Sequence, residues 1–227
     1  MCGRFTLTTS ARLIEQTFGL FDGLEAELAP RYNIAPTQNI LALRVGKDAA
    51  QPTWTRLRWG LIPSWAEDKS IGNRLLNARA DGIESKPSFR AAFKRRRCLI
   101  VADGFYEWKA GPTKKSVKQP YHIRMKDRRP FAFAGLWESW DKGETPIESC
   151  VIITTEANAV LQPLHDRMPV IVDPGDFERW LIGEAQDPGL LLEMLRPYAA
   201  EPMEAVSVST VVNKATFDDP SCLAGDS

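Results

Sequence analysis

The chain opens MCGRFTL, and Cys2 is the residue whose position offers the most chemistry. Removal of Met1 would leave two nucleophiles, an α-amine and a thiol, on one residue. An α-amine has a pKa near ~7.8 against ~10.4 for lysine, so roughly a tenth of it is free base at neutral pH, against well below ~1% of an exposed lysine. Condensation of that amine with an aldehyde gives an imine. The thiol of the same residue can then close on the imine carbon to a five-membered thiazolidine. Because closure is intramolecular, the adduct is longer lived than a simple Schiff base. The plain alternative is a cysteine that fills space, since free cysteines behave as small hydrophobes.

Other residues add to this chemistry. Glu107 lies between Tyr106 and Trp108 in GFYEWK, and a carboxylate beside aromatics is poorly solvated, which suits a group that gives and takes protons. His165 precedes RMP, and an imidazole exchanges protons near neutral pH. Pairing with an arginine and capping a helix are the structural roles equally open to these two. Asn77 either orients a substrate oxygen or makes a turn. Arg4, Arg79 and Arg167 each fall within three residues of Cys2, Asn77 or His165, and guanidinium forks match phosphate geometry. Trp59, Trp65 and Phe105 offer stacking faces for bases, with Trp65 taken as the DNA contact. The basic run FKRRR (93–97) reads as a solvated helix face.

Composition bounds what can position these groups. The 227 residues are 44% hydrophobic and 26% charged, which fits one domain over 1–227. Arg4 and Arg12 are followed by no apolar stretch, and no run long enough to span a bilayer occurs. No membrane association and a cytoplasmic location are expected. Four dispersed cysteines and two histidines lack the paired spacing of a zinc site, so no metal and no disulfide is expected. Lysine plus arginine equals aspartate plus glutamate at 29 each, so an anion site must be local.

Glycine and proline punctuate short segments rich in β-branched and aromatic residues. GRFTLT, NILALRV, TWTRLRWG, CLIVADGFYEWK, QPYHIRM, RPFAFAGLWESW, CVIITTEA and MEAVSVST read as strands. TTSARLIEQTFG reads as a helix with a Thr or Ser N-cap and Gly19 past its last turn, and KPSFRAAFKRRR, PGDFERWLIG and DPGLLLEMLRPY read as further helices. AGPTKKSVKQ reads as a lysine-rich hairpin tip. Strands in runs with irregularly inserted helices predict an α+β fold with a mostly antiparallel, pseudo-barrel β core and peripheral helices.

The blocks MCGRF, RYNIAPTQ, RWGLIPSWA, NARAD, ADGFYEW and HDRMP, in this order, resemble the SRAP family, named for SOS response-associated peptidase, over residues 2–220. The resemblance implies binding of single-stranded DNA that carries an abasic site, and reversible crosslinking to its ring-opened aldehyde through a thiazolidine. On this chain it makes Cys2 the crosslinking residue after loss of Met1. Asn77 would position the adduct, Glu107 would be the acid/base group near the amine, and His165 would assist sugar-ring opening and reversal. Arg4, Arg79 and Arg167 would hold the flanking phosphates. It further implies no cofactor, a monomer, replication-associated proteins as further partners, nucleoid association on damaged DNA, and lyase-like or Met1-removing side activities. Asp81 stands where the family more often has Glu, and STVVNKATFDD keeps only part of the family pattern. Two other readings compete: a peptidase or amidase with Cys2 as N-terminal nucleophile, and a non-catalytic DNA-binding module, against which the neutral net charge argues.

Overall fold

Strand β1 (Phe5–Leu7) is followed by α1 (Ala11–Phe18), whose last turn ends at Gly19 in the left-handed conformation, φ 65°. The computed structural model describes residues 2–225 apart from 20–23, 25–27, 47–48, 50, 112, 114–115 and 183–186. Next come β2 (Arg31–Ile34), β3 (Asn39–Val45), β4 (Pro52–Trp59), β5 (Asn77–Arg79), α2 (Arg90–Arg95), β6 (Arg97–Ala102) and β7 (Gly104–Lys109). The rest is β8 (Gln119–Met125), β9 (Phe131–Trp140), β10 (Ile147–Glu156), β11 (Arg167–Pro169), β12 (Ile171–Val172), α3 (Phe177–Leu181), α4 (Pro188–Glu193) and β13 (Met203–Ser207).

One sheet runs β13-β8-β7-β1-β2, antiparallel throughout. In the other, β10-β4-β3-β6-β9 closes into a five-stranded barrel through the pairing of β9 with β10. Strands β5 and β11 extend β10, and β12 extends β9. Among the described residues only β4 and β5 pair in parallel, both with β10. The expected mostly antiparallel α+β pseudo-barrel is therefore what forms. Phe5 joins the sheets: its ring meets Trp59 edge-on at 5.3 Å and Phe133 at 5.8 Å. Among the described residues no helix is long and apolar enough to cross a membrane.

Two segments differ from the sequence reading. CLIVADGFYEWK is not one strand. It breaks at Asp103, with β6 in the barrel and β7 in the other sheet. The break has a cause: the Asp103 carboxylate accepts from Thr6 Oγ1 (2.5 Å), from the Thr8 amide and hydroxyl (2.5 and 2.8 Å) and from the Thr9 amide and hydroxyl (2.8 and 2.9 Å). These bonds hold Asp103 against β1 at the corner where the chain passes from one sheet to the other. KPSFRAAFKRRR is likewise helical only over α2, because Arg97 turns inward. Its guanidinium caps the Phe93 and Lys94 carbonyls at 2.9 Å each and donates to Trp180 at 2.6 Å, and burial lowers its pKa to about 10. FKRRR is thus not a single solvated face. The AGPTKKSVKQ hairpin is confirmed by the Lys109 to Gln119 register, while residues 112, 114 and 115 of its tip lie outside the described residues.

His122, on β8, reaches across β7 toward β1. A Cβ on Gly104 would lie 2.0 Å from His122 Nε2, so glycine is what lets the ring pass. Nε2 is 3.0 Å from Thr6 Oγ1, whose own proton goes to Asp103, so the imidazole donates from Nε2. Nδ1 is then a buried lone pair without a partner among the described residues. Burial, partly offset by Asp103, lowers the His122 pKa from 6.5 to about 4. The unfolded chain binds this proton more readily, so the stability contributed by neutral His122 is complete above about pH 6.5 and is lost as pH falls toward 4. Thermal midpoints measured from pH 7 down to 4 should fall across that window, and His122→Phe should flatten the fall while lowering the midpoint at pH 7.

Candidate active site around residue 2

Cys2 sits just ahead of β1 and is fully buried. Its carbonyl accepts a 2.8 Å hydrogen bond from Asn77 Nδ2, and its thiol donates weakly to the Arg4 carbonyl at 3.8 Å. The Arg4 carbonyl also receives the Tyr106 amide at 3.0 Å. With Phe5 opposite Phe105, that register carries Gly3 to the level of Glu107. Glu107 is only 3% exposed. Burial first, and then the negative charge of Glu107, push the Cys2 thiol well above its ordinary range. The thiol is therefore held protonated.

Asn77 opens β5, and two glycines deliver it there. Gly60 adopts φ 122°, and a Cβ on it would stand 2.4 Å from the Gly72 carbonyl oxygen. That close approach lays the 3-10 turn Lys69–Asn73 on the end of β4 and sends the chain back to pair with β10, Asn77 opposite Ile152. Because Nδ2 must face the Cys2 carbonyl, the amide cannot flip. Oδ1 is left as a buried acceptor with no partner among the described residues.

Arg79 follows two residues later on β5, on the same face as Asn77 and about 6.6 Å along the strand. Its side chain is exposed and makes no hydrogen bond or ion pair among the described residues. Arg167 is 8% exposed and reaches the Thr154 carbonyl at 2.5 Å and Asp81 at 3.2 Å; Thr154 is the register partner of Arg79. Arg4 Nη1 donates to Asn33 Oδ1 (2.8 Å) and the Val212 carbonyl (2.7 Å), and the guanidinium lies 5.9 Å from the Trp108 ring. A guanidinium has five N–H donors, so neither is saturated, but both are engaged within the protein.

His165 ends a turn before β11. Its Nδ1 accepts the Arg167 amide at 3.0 Å and lies 2.6 Å from Asp166 Oδ1. The first contact needs a lone pair on Nδ1 and the second a proton, so the two are not hydrogen bonds at once. His165 makes no hydrogen bond or ion pair to Cys2, Asn77 or Glu107. Of the aromatics, Trp65 is 53% exposed, whereas Trp59 and Phe105 are fully buried. Trp59 and Phe105 offer no stacking face. They are core, and Trp59 Nε1 is bound to the Leu76 carbonyl at 2.9 Å.

Cys2, Asn77 and Glu107 are thus brought together, with Arg79 further along β5 and the Arg167, Asp81 and His165 cluster beyond it. A profile of the SOS response associated peptidase (SRAP) family matches residues 1–215. The chain belongs to the SRAP family. This SRAP chain is 44% identical over 222 residues to the abasic site processing protein YoqW of Bacillus subtilis, covering 97% of each. It is 32% identical to the abasic site processing protein HMCES of Xenopus tropicalis, covering 89% of this chain and 68% of the relative. A crystal structure of a Bacteroides thetaiotaomicron protein superposes with a TM-score of 0.83 at 26% identity, covering 99% of this chain and all of that one.

Sequence reasoning missed Thr6, Asp103, His122 and Asn33. Asn33 is fully buried, and its Nδ2 holds the carbonyls of Val212, Lys214 and Phe217 at 3.1, 3.0 and 2.7 Å. Only the Asp-Gly pair in ADGFYEW carried a signal, since it marks a corner. Asn77→Asp would replace the donor to the Cys2 carbonyl with an acceptor. Urea melts should show it less stable by about 1–3 kcal/mol, with Asn77→Ala at the lower end.

Proposed function

We propose that this protein captures the ring-opened aldehyde of an abasic site in single-stranded DNA through Cys2, once Met1 is removed. The α-amine adds to the aldehyde carbon and the resulting carbinolamine loses one water to give an imine. The thiol sulfur then bonds to the imine carbon while its proton passes to the nitrogen, so the thiazolidine forms with net loss of one water. Glu107 protonates the departing hydroxyl, takes up the proton that the nitrogen loses as the imine forms, and relays the thiol proton to that nitrogen on ring closure, while Asn77 Oδ1 orients the substrate. His165 assists ring opening and, with Glu107, the reverse reaction.

The observation that carries this reading is the convergence of Asn77 and Glu107 on residue 2, in a family whose relatives above are named abasic site processing proteins. A thiol held protonated favours the order amine first, sulfur second. The same fact weighs against a peptidase, which needs a thiolate as nucleophile: burial disfavours it, and neither histidine is bonded to Cys2. Arg79, exposed beside Asn77, is placed to meet a phosphate, with Arg4 and Arg167 using their remaining donors and Trp65 offering a face to a base.

Purified protein beginning at Cys2, incubated with a single-stranded oligonucleotide bearing one abasic site, should give a species that survives a denaturing gel and carries the oligonucleotide mass. Cys2→Ala should give none, and an adduct retained in that variant would sink the proposal. Arg79→Ala should weaken binding evenly across sequences and reduce the slope of log affinity against log salt by about 0.7, measured by fluorescence anisotropy at several salt concentrations.

A further inference from the structure

Strand β1 meets β2 and β7 unequally. On the β2 side Phe5 pairs with Ile34 and Leu7 with Arg31, with a shift of register between them. On the β7 side the two residue pairs are Phe5 with Phe105 and Thr6 with Gly104. A slip of one residue would carry Cys2 about 3.3 Å along β7 and turn Phe5 out of the core. Two residue pairs on each edge are a weak brake against that.

The side chains around Thr6 supply the rest. Thr6 Oγ1 lies 2.5 Å from Asp103 Oδ1 and 3.0 Å from His122 Nε2, and the three groups are buried. Asp103 also holds the far end of β1 through Thr8 and Thr9. His122 arrives from β8, across Gly104, so a single hydroxyl ties β1 to the β6–β7 corner and to the strand beyond β7. We propose that Thr6, Asp103 and His122 are positioning residues that fix where Cys2 stands relative to Glu107. This rests on the reading of Cys2 as the capturing residue. None of the three touches substrate; they act through the register of β1.

Single-turnover capture at saturating abasic strand tests it, with affinity for an intact strand measured alongside. Thr6→Val keeps the shape and loses the hydroxyl, Thr6→Ser keeps the hydroxyl, and His122→Phe removes the donor. Thr6→Val and His122→Phe should capture roughly 10- to 100-fold more slowly, as for other small misplacements of reacting groups, with affinity for the intact strand unchanged and Thr6→Ser close to the wild type. Wild-type capture in Thr6→Val, or a loss in Thr6→Ser as large as in Thr6→Val, overturns the proposal. If the wild-type chain captures nothing, the abasic-site reading falls and the network is judged by amide exchange. The Asp103 and Tyr106 amides, which cross to the Thr6 and Arg4 carbonyls at 3.0 Å each, should exchange faster in Thr6→Val than in Thr6→Ser. Equal exchange overturns the positioning role as well.

Discussion

The first strand is held on both edges, and the chemistry assigned to residue 2 depends on that constraint. Chain termini ordinarily fray, because few backbone groups there are paired or buried. Here β1 lies inside a five-stranded sheet, its Phe5 ring is wedged against Trp59 and Phe133, and the carbonyl of Cys2 itself is bound by Asn77. A nucleophile at a free terminus would sample many positions. One held in this way meets its neighbours at fixed distances, and orientation of that kind is a large part of what a site can contribute to a reaction.

The same burial shapes the electrostatics. Glu107 and Cys2 are close enough to interact, and their charges have the same sign when both are ionised. Burial and this repulsion both disfavour the thiolate. The arginines are divided by their surroundings. Arg79 is open to solvent, while Arg4 and Arg167 also tie down protein carbonyls. Arg4 in particular links β1 to the segment around Val212 and, through Asn33, to β2. Arg79 is thus left open while Arg4 and Arg167 serve as internal fasteners, and loss of Arg4 would disturb the strand that carries Cys2.

Much of this was legible in the sequence where the signal was local. The long strands β3, β4, β8, β9 and β10 announce themselves by composition, and Gly19 marks the end of α1. The blocks that carry the family resemblance located Cys2, Asn77 and Glu107. What was hidden depends on distant partners. Asp103 looked like one more residue in an apolar strand, yet its donors come from Thr6, Thr8 and Thr9, and His122 meets Thr6 from 116 residues away. The short strands β2, β5 and β11 are not among the strands predicted from the sequence, because three or four residues with arginine or asparagine carry no alternation to detect. Trp59 and Phe105 show the converse: aromatic type alone does not distinguish a stacking platform from a core.

The most direct test of the account is to locate the adduct. The captured product, formed without any reductant, is digested and the modified peptide sequenced by mass spectrometry. The account predicts a sugar remnant on the peptide that begins at Cys2, attached through both nitrogen and sulfur, so that the thiol no longer alkylates. A remnant on a lysine, or an adduct at Cys2 that appears only after borohydride trapping and leaves the thiol free, would contradict it.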